Sequence, residues 1–187
     1  MKKIMIPTAM TESAITGKNK AAACASCHGA DGNSLVTMYP KLAGQNAHYL
    51  IKQLKDFKDG SRKNAIMAGM AAALSEQDRI DIANYFAAQK TTKGNGKSNT
   101  LGKKLYFGGN VKRGIPACVA CHGVNGKGMA KAGFPSLAGQ SVEYLRNQLK
   151  LFHIGERAND KNGIMRGVTK KLKDKQADAL AQFMSAL

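Results

Sequence analysis

Cysteine occurs in only two places in this 187-residue chain, "CASCHGADG" at 24–32 and "CVACHGVNG" at 118–126. In each, two thiols stand about one helical turn apart and a histidine follows at once: Cys24, Cys27 and His28, then Cys118, Cys121 and His122. A C-x-x-C pair can serve as a redox disulfide, as half of a zinc site or as an attachment point for haem. The thioredoxin-like reading wants a strand-helix-strand context, which is missing. A closed zinc site needs four ligands, and one C-x-x-C-H offers at most three. Two modules could share one zinc, but duplicated flanking sequence would then have no purpose. Covalent haem fits better: the thiols bond to the two vinyl groups and the adjacent histidine reaches the iron.

The flanking sequence is duplicated. The two C-x-x-C-H segments lie 94 residues apart, and "YPKLAGQ" at 39–45 answers "FPSLAGQ" at 134–140 at an offset of 95. "YLIKQLKDFKDGSR" at 49–62 answers "YLRNQLKLFHIGER" at 144–157 in that register, and "NAIMAGMAAAL" at 64–74 answers "NGIMRGVTKKL" at 162–172 at an offset of 98. Three residues are therefore inserted after Arg157. One module is written twice, and the polar, Gly-rich "KTTKGNGKSNTLG" at 90–102 between the copies reads as a linker.

A histidine-ligated iron has a second face, and its occupant separates a carrier from an enzyme. Of nine methionines only Met67 and Met165 superpose in the repeat, each in N-x-I-M, 39 and 43 residues past their histidines. A thioether suits haem iron, so axial ligation is the expectation and core packing the alternative. Met70, Met129 and Met184 lack repeated counterparts and read as packing residues. His48 and His153 are unrepeated and read as surface residues. With both axial positions filled by protein, no place remains for oxygen, peroxide or substrate, and the iron can only cycle between Fe(II) and Fe(III).

The elements that must hold these groups read as helices. Leu50, Leu54 and Phe57, and in the second copy Leu145, Leu149 and Phe152, fall on one helical stripe. Ser75 and Asp78 form a capping box before "RIDIANYFAAQ", whose Ile82, Tyr85 and Phe86 share a face. Lys173 and Gln176 take those places in the second copy, where Asp174 is expected to cap one residue later. Few segments alternate with period two. The expected fold is all-α, with four to five helices per module: a tail at 1–15, a first domain at 16–90, a linker at 91–100 and a second domain at 101–187.

Aromatic residues make up 6% of the chain and Trp is absent, a thin supply for two cores, which suggests that something besides side chains fills the interior. No run of about 18 apolar residues exists to span a membrane as a helix. The start "MKKIMIPTAM" has a basic end and a short apolar patch cut off by Pro7 and Thr11-Glu12, which reads as a remnant or partial export signal. Residues 1–90 hold 12 Lys or Arg against 7 acids, and residues 91–187 hold 17 against 5, so +12 of the net +17 lies in the second half. "TKKLKDK" at 169–175 adds four lysines near Met165. An acidic partner or an anionic membrane surface is expected there, with strong salt dependence. No nucleic-acid motif accompanies the charge.

The paired CxxCHG, the P-x-L-A-G-Q block, Y-L-x-x-Q-L-x-x-F-x-x-G-x-R and N-x-I-M together resemble the dihaem cytochrome c(4) family, two class I cytochrome c domains in tandem, from about Thr16 onward. The resemblance implies two all-helical domains, each wrapped around one covalently bound haem c. Cys24, Cys27, Cys118 and Cys121 would attach the haems; His28 with Met67 and His122 with Met165 would be the axial iron ligands. It also implies that the carbonyls of Pro40 and Pro135 accept the ligand histidines' other N–H, simple turn prolines being the alternative. Arg62 and Arg157, the repeated cations nearest the methionine loops, would pair with haem propionates or stand solvated. The family carries electrons in the periplasm, often to a haem-copper oxidase and commonly in association with the inner membrane. The expectation is an electron carrier between respiratory donors and a terminal oxidase or other acceptor, not an enzyme, with acidic redox proteins or a membrane oxidase complex docking on the basic C-terminal domain. The alternatives are a dihaem subunit of a flavocytochrome-like dehydrogenase, or a haem enzyme with one open iron.

Overall fold

The computed structural model of the protein describes residues 16–187; the expected export-signal remnant in "MKKIMIPTAM" lies outside the described residues. Residues 16–20 are helical and continue through a 3-10 turn, Ala21–Cys24, into α1 (Ala25–His28), followed by α2 (Ala47–Lys58), α3 (Ala65–Ala72) and α4 (Glu76–Ala87). The second copy contains α5 (Thr100–Gly108), α6 (Val119–His122), α7 (Val142–Ile154), α8 (Ile164–Thr169) and α9 (Asp174–Ser185). Among the described residues extended backbone pairs only in two isolated bridges, Asn110 with Ile115 and Met129 with Phe134.

The helix starts follow from local chemistry. Ser75 accepts the N–H of Asp78 at 3.1 Å and Asp78 accepts that of Ser75 at 2.9 Å, closing the capping box ahead of α4. At α9 only half of that device survives. Gln176 Oε1 accepts the Lys173 N–H at 3.0 Å, and Asp174, expected to be the cap, is the first helical residue instead. A lysine side chain has no acceptor for the helix N–H groups, so the cap moves onto Gln176, and Asp174 complements the helix dipole.

Two separate cores result. The first is small: Ala21, Leu50, Ile82, Ala83 and Phe86. The second gathers Leu105, Tyr106, Ile115, Leu145, Leu149, Leu172, Leu180 and Met184, among others. In each, the long helix of the repeated block (α2, α7) lays its leucines into the core, and the phenylalanine of the stripe is buried beneath Arg62 or Arg157.

Each domain also crosses its first helix over its last, with a glycine at the crossing. A Cβ on Gly17 would sit 2.7 Å from the Asp81 carbonyl oxygen, and one on Gly102 would sit 2.0 Å from that of Ala179. Asp81 and Ala179 are related by the repeat offset of 98, so the glycines are structural counterparts. Gly17 precedes Cys24 by 7 residues but Gly102 precedes Cys118 by 16, which hides the correspondence in the sequence. Beside the first crossing, Lys20 reaches Asp78 and Asp81 at 2.8 and 2.7 Å. That contact, with Ser75, holds the Asp78 carboxyl well below the usual carboxylate range.

The segment joining the copies is strapped to both. Thr91 hydroxyl bonds the Ala43 carbonyl, Thr92 N–H donates to Asn33 at 2.8 Å, Gly96 N–H to Ser185 Oγ at 2.9 Å and Lys97 N–H to Gln182 at 3.1 Å. Gly94 is required here, since its Cβ would come within 2.3 Å of the Ser185 carbonyl oxygen.

Gly102→Ala drives a methyl group into backbone that cannot retreat, and it is expected to destabilise the second domain by about 1–3 kcal/mol, the usual cost of overpacking. Urea unfolding of the holoprotein would show this as a lower midpoint with unchanged slope.

Candidate functional site

The single-turn helices α1 and α6 carry the two C-x-x-C-H segments. All four thiols are free and partly buried. Burial pushes the Cys24 thiol up, and that of Cys118 up to about 11. His28 and His122 are each 7% exposed. Nδ1 of His28 lies 2.9 Å from the Pro40 carbonyl oxygen, and Nδ1 of His122 lies 3.0 Å from that of Pro135. A carbonyl can only accept, so each Nδ1 carries the proton and each Nε2 keeps its lone pair. Burial lowers the pKa of both rings, favouring the neutral imidazole that binds iron. Tyr39 and Phe134, repeat counterparts, stand beside these rings with centroids 6.3 and 6.4 Å away.

The two N-x-I-M segments match in sequence but differ in backbone. Asn64 caps α3, accepting the Met67 N–H at 2.9 Å. Asn162, its counterpart, instead adopts a left-handed conformation (φ 54°), followed by Gly163 at φ 67°. Asp160, within the inserted stretch, takes over the anchoring by accepting from Arg166 N–H at 3.0 Å and Nε at 2.8 Å. Met165 packs against the second core, as does Cys118, and Met67 is partly exposed on α3. His48 and His153 are exposed, and His153 is tied to the Thr169 carbonyl at 2.7 Å.

Among the described residues no three of His, Cys, Asp or Glu gather as a metal cluster. Two thiols and an unprotonated Nε2 on one helical turn, repeated, are the donor set that covalent haem requires.

Arg62 and Arg157 are not solvated. They meet at the junction of the domains in a network with approximate two-fold symmetry. Arg62 donates to Gln53 at 2.8 Å in its own domain, and to Tyr144 at 3.2 Å and Gln148 at 3.0 Å in the other. Arg157 donates to Gln148 at 2.6 Å in its own domain, and to Tyr49 at 2.9 Å and Gln53 at 3.1 Å across the junction. Each guanidinium also lies over its own domain's phenylalanine, Arg62 over Phe57 and Arg157 over Phe152, at 4.6 and 4.4 Å. Among the described residues neither arginine forms an ion pair. Burial alone would raise the Tyr49 pKa, but Arg157 and Arg62 outweigh it and hold the phenol below its ordinary value.

Tyr49, Gln53, Tyr144 and Gln148 lie inside the repeated blocks but are polar and sit off the leucine stripe, so the core pattern does not pick them out. Their signal was available: polar residues duplicated at i and i+4, on a face other than the leucine stripe.

The cytochrome c family profile matches residues 14–90 and again 100–187. The chain is 45% identical over 177 residues to cytochrome c4 of Pseudomonas aeruginosa, covering 93% of this chain and 88% of that protein. It is 38% identical over 173 residues to a thiosulfate dehydrogenase electron acceptor of Thiomonas intermedia, covering 89% and 79%. The structure is similar to that of reduced recombinant cytochrome c4 from Pseudomonas stutzeri, with a TM-score of 0.90 at 45% identity, over 93% of this chain and 98% of that one.

Replacing both Tyr49 and Tyr144 by Phe removes one acceptor from each buried guanidinium. At about 1.5–3 kcal/mol per charged hydrogen bond, the domains are expected to uncouple. Calorimetry of the holoprotein would then show two separated transitions in place of one.

Proposed function

Because this chain belongs to the dihaem cytochrome c4 family of tandem cytochrome c domains, we propose that it carries electrons in the periplasm from respiratory donors to a terminal oxidase or other acceptor, through two irons each closed by a histidine and a methionine. The family carries two covalently bound haem c groups, and the chain is a dihaem electron-transfer protein. Its two haem domains are assigned to residues 16–90 and 101–187.

When bound, each haem supplies a one-electron Fe(III)/Fe(II) couple. The chain's own residues do the rest. Cys24 and Cys27, and Cys118 and Cys121, hold the two groups covalently. The Nδ1–H groups of His28 and His122 bond the Pro40 and Pro135 carbonyls, which fixes the rings and raises their basicity, and Nε2 of each would ligate an iron. Met67 and Met165 would each give an iron its second protein ligand, a thioether that suits haem iron, and with both ligands supplied by the chain the protein would be a carrier without an open catalytic site. Arg62 and Arg157, whose protein partners are neutral oxygens, would take the haem propionates as their anions. The observation that carries this reading is the buried, carbonyl-held imidazole beside a thiol pair, present twice with the same geometry.

Partners are read from charge. Lys170, Lys171, Lys173 and Lys175 are exposed on the second domain near Met165. An acidic redox protein or a membrane oxidase complex docks there, and an anionic inner-membrane surface would be held by the same field. A thiosulfate-oxidising dehydrogenase is the second reading for the donor, favoured by the likeness to the electron acceptor of Thiomonas intermedia.

Carbon monoxide added to the dithionite-reduced protein, with haem counted per chain, tests the closed sites. Two haems and an unchanged spectrum are expected; a shifted Soret band from either haem would mean an open iron and an enzymatic role. Changing Lys170, Lys171, Lys173 and Lys175 to Glu is expected to slow reduction of an acidic acceptor by about tenfold at low salt and to flatten the salt dependence, as read by stopped-flow spectroscopy.

A further inference from the structure

Each domain reaches into the histidine environment of the other. Pro40 and Lys41 share one peptide unit. Its carbonyl oxygen accepts the His28 Nδ1–H at 2.9 Å, and its N–H donates to Oε1 of Gln140, in the opposite domain, at 3.0 Å. Gln140 returns its Nε2–H to the Lys41 carbonyl at 2.5 Å. The second copy repeats the arrangement in reverse. His122 Nδ1–H bonds the Pro135 carbonyl at 3.0 Å, the N–H of that peptide unit, on Ser136, donates to Oε1 of Gln45 at 2.8 Å, and Gln45 Nε2–H reaches the Ser136 carbonyl at 2.9 Å. A backbone N–H and a backbone C=O facing each amide fix its orientation, because only one placement of oxygen and nitrogen bonds both. Both glutamines are 6% exposed, so bulk water does not compete for these groups.

An N–H engaged by an acceptor makes the carbonyl of its own peptide unit a stronger acceptor, since the dipoles polarise one another where the dielectric is low. A stronger acceptor at Nδ1–H makes the other ring nitrogen a better donor to iron and so favours Fe(III). We propose that Gln140 and Gln45 are crossed positioning residues, each setting from one domain the donor strength of the axial histidine in the other. The proposal rests on His28 and His122 being the iron ligands, and adds that each iron's potential depends on a side chain of the opposite domain. The two arms are unequal. Oε1 of Gln45 also accepts the Asn46 N–H at 2.9 Å, whereas among the described residues Oε1 of Gln140 serves Lys41 N–H alone. The effect on His28 is therefore the larger.

The test is nitrogen-15 resolved NMR of the reduced, diamagnetic holoprotein with a redox titration. In Gln140→Met the His28 Nδ1–H moves upfield while that of His122 holds. The oxidised-to-reduced ratio of the first-domain haem at fixed potential falls by roughly two- to tenfold, the size of the lost polarisation. Gln45→Met gives the mirrored result, smaller, on His122. Gln140→Glu, which keeps an acceptor oxygen, leaves the His28 proton at its native position or further downfield. Equal movement of both histidines, or the same loss in the Met and Glu variants, would overturn the proposal by showing that interface integrity alone sets the signal. Histidine ring protons without a haem ring-current shift in the unsubstituted protein overturn the ligand reading and the proposal together. Shifted ring protons with no crossed response overturn the proposal alone.

Discussion

A buried imidazole with one nitrogen tied to a carbonyl is the constraint from which most of this fold follows. The carbonyl comes 12 residues after the histidine in the first copy and 13 in the second, so the chain must turn back on itself at once. Gly29 and Gly123, at φ 81° and 76°, make the first bend. The loop is then pinned where Leu42 and Leu137 N–H groups donate to the Gly32 and Gly126 carbonyls at 2.7 and 2.6 Å. A Cβ on Gly32 would lie 2.7 Å from both Ala43 N and Phe86, and one on Gly126 would lie 2.9 Å from Leu187. The loops that orient the histidines are thus packed against the last helix of the first domain and the C-terminal end of the second. Disturbing those ends disturbs the imidazoles.

The junction of the domains is polar where a junction that only needed adhesion would be greasy. Two guanidiniums are brought together, and removing an unpartnered cation from water costs several kcal/mol. Neutral oxygens of Gln53, Gln148, Tyr49 and Tyr144 satisfy the N–H groups but not the charge. Asp56 contributes an attractive field at Arg62, yet it is already engaged by Lys52 and Asn159. The arrangement leaves both cations without an ion pair among the described residues, and haem propionates are the anions proposed to complete it. On that view the junction is a pair of half-sites for the propionates, and domain docking and cofactor retention stabilise each other.

Much of this was legible in the sequence because a repeat filters coincidence. The C-x-x-C-H pairs, the leucine stripes of α2 and α7 and the capping box at Ser75 each announce a local rule that the backbone then follows. What escaped reading was of two kinds. Gly17 and Gly102 are counterparts through space, but unequal spacing to the following cysteine breaks their register. The glutamines, tyrosines and arginines of the junction were visible as repeated letters, yet their meaning is a contact between copies, and no helical or strand periodicity encodes which face of one module meets the other. Asp174 was misread for a simpler reason: a glutamine three residues after the cap position can close the cap from the other side.

The two copies agree where chemistry leaves no choice and differ where it does. Thiols, histidines, prolines and the junction arginines superpose residue for residue. The methionine segments keep Asn and Met but build their backbones differently, one through an Asn64 cap and the other through left-handed Asn162 and Asp160. The first core has half the buried members of the second, and most of the positive charge lies on the second domain. Iron potential responds to axial-ligand strength, burial and nearby charge. Burial and nearby charge differ between the copies, whereas the thiols, histidines and methionines proposed to attach and hold the haems are shared. Two haems with the proposed common ligand set can therefore differ in potential, and a difference of that kind gives electron transfer between the two sites a direction.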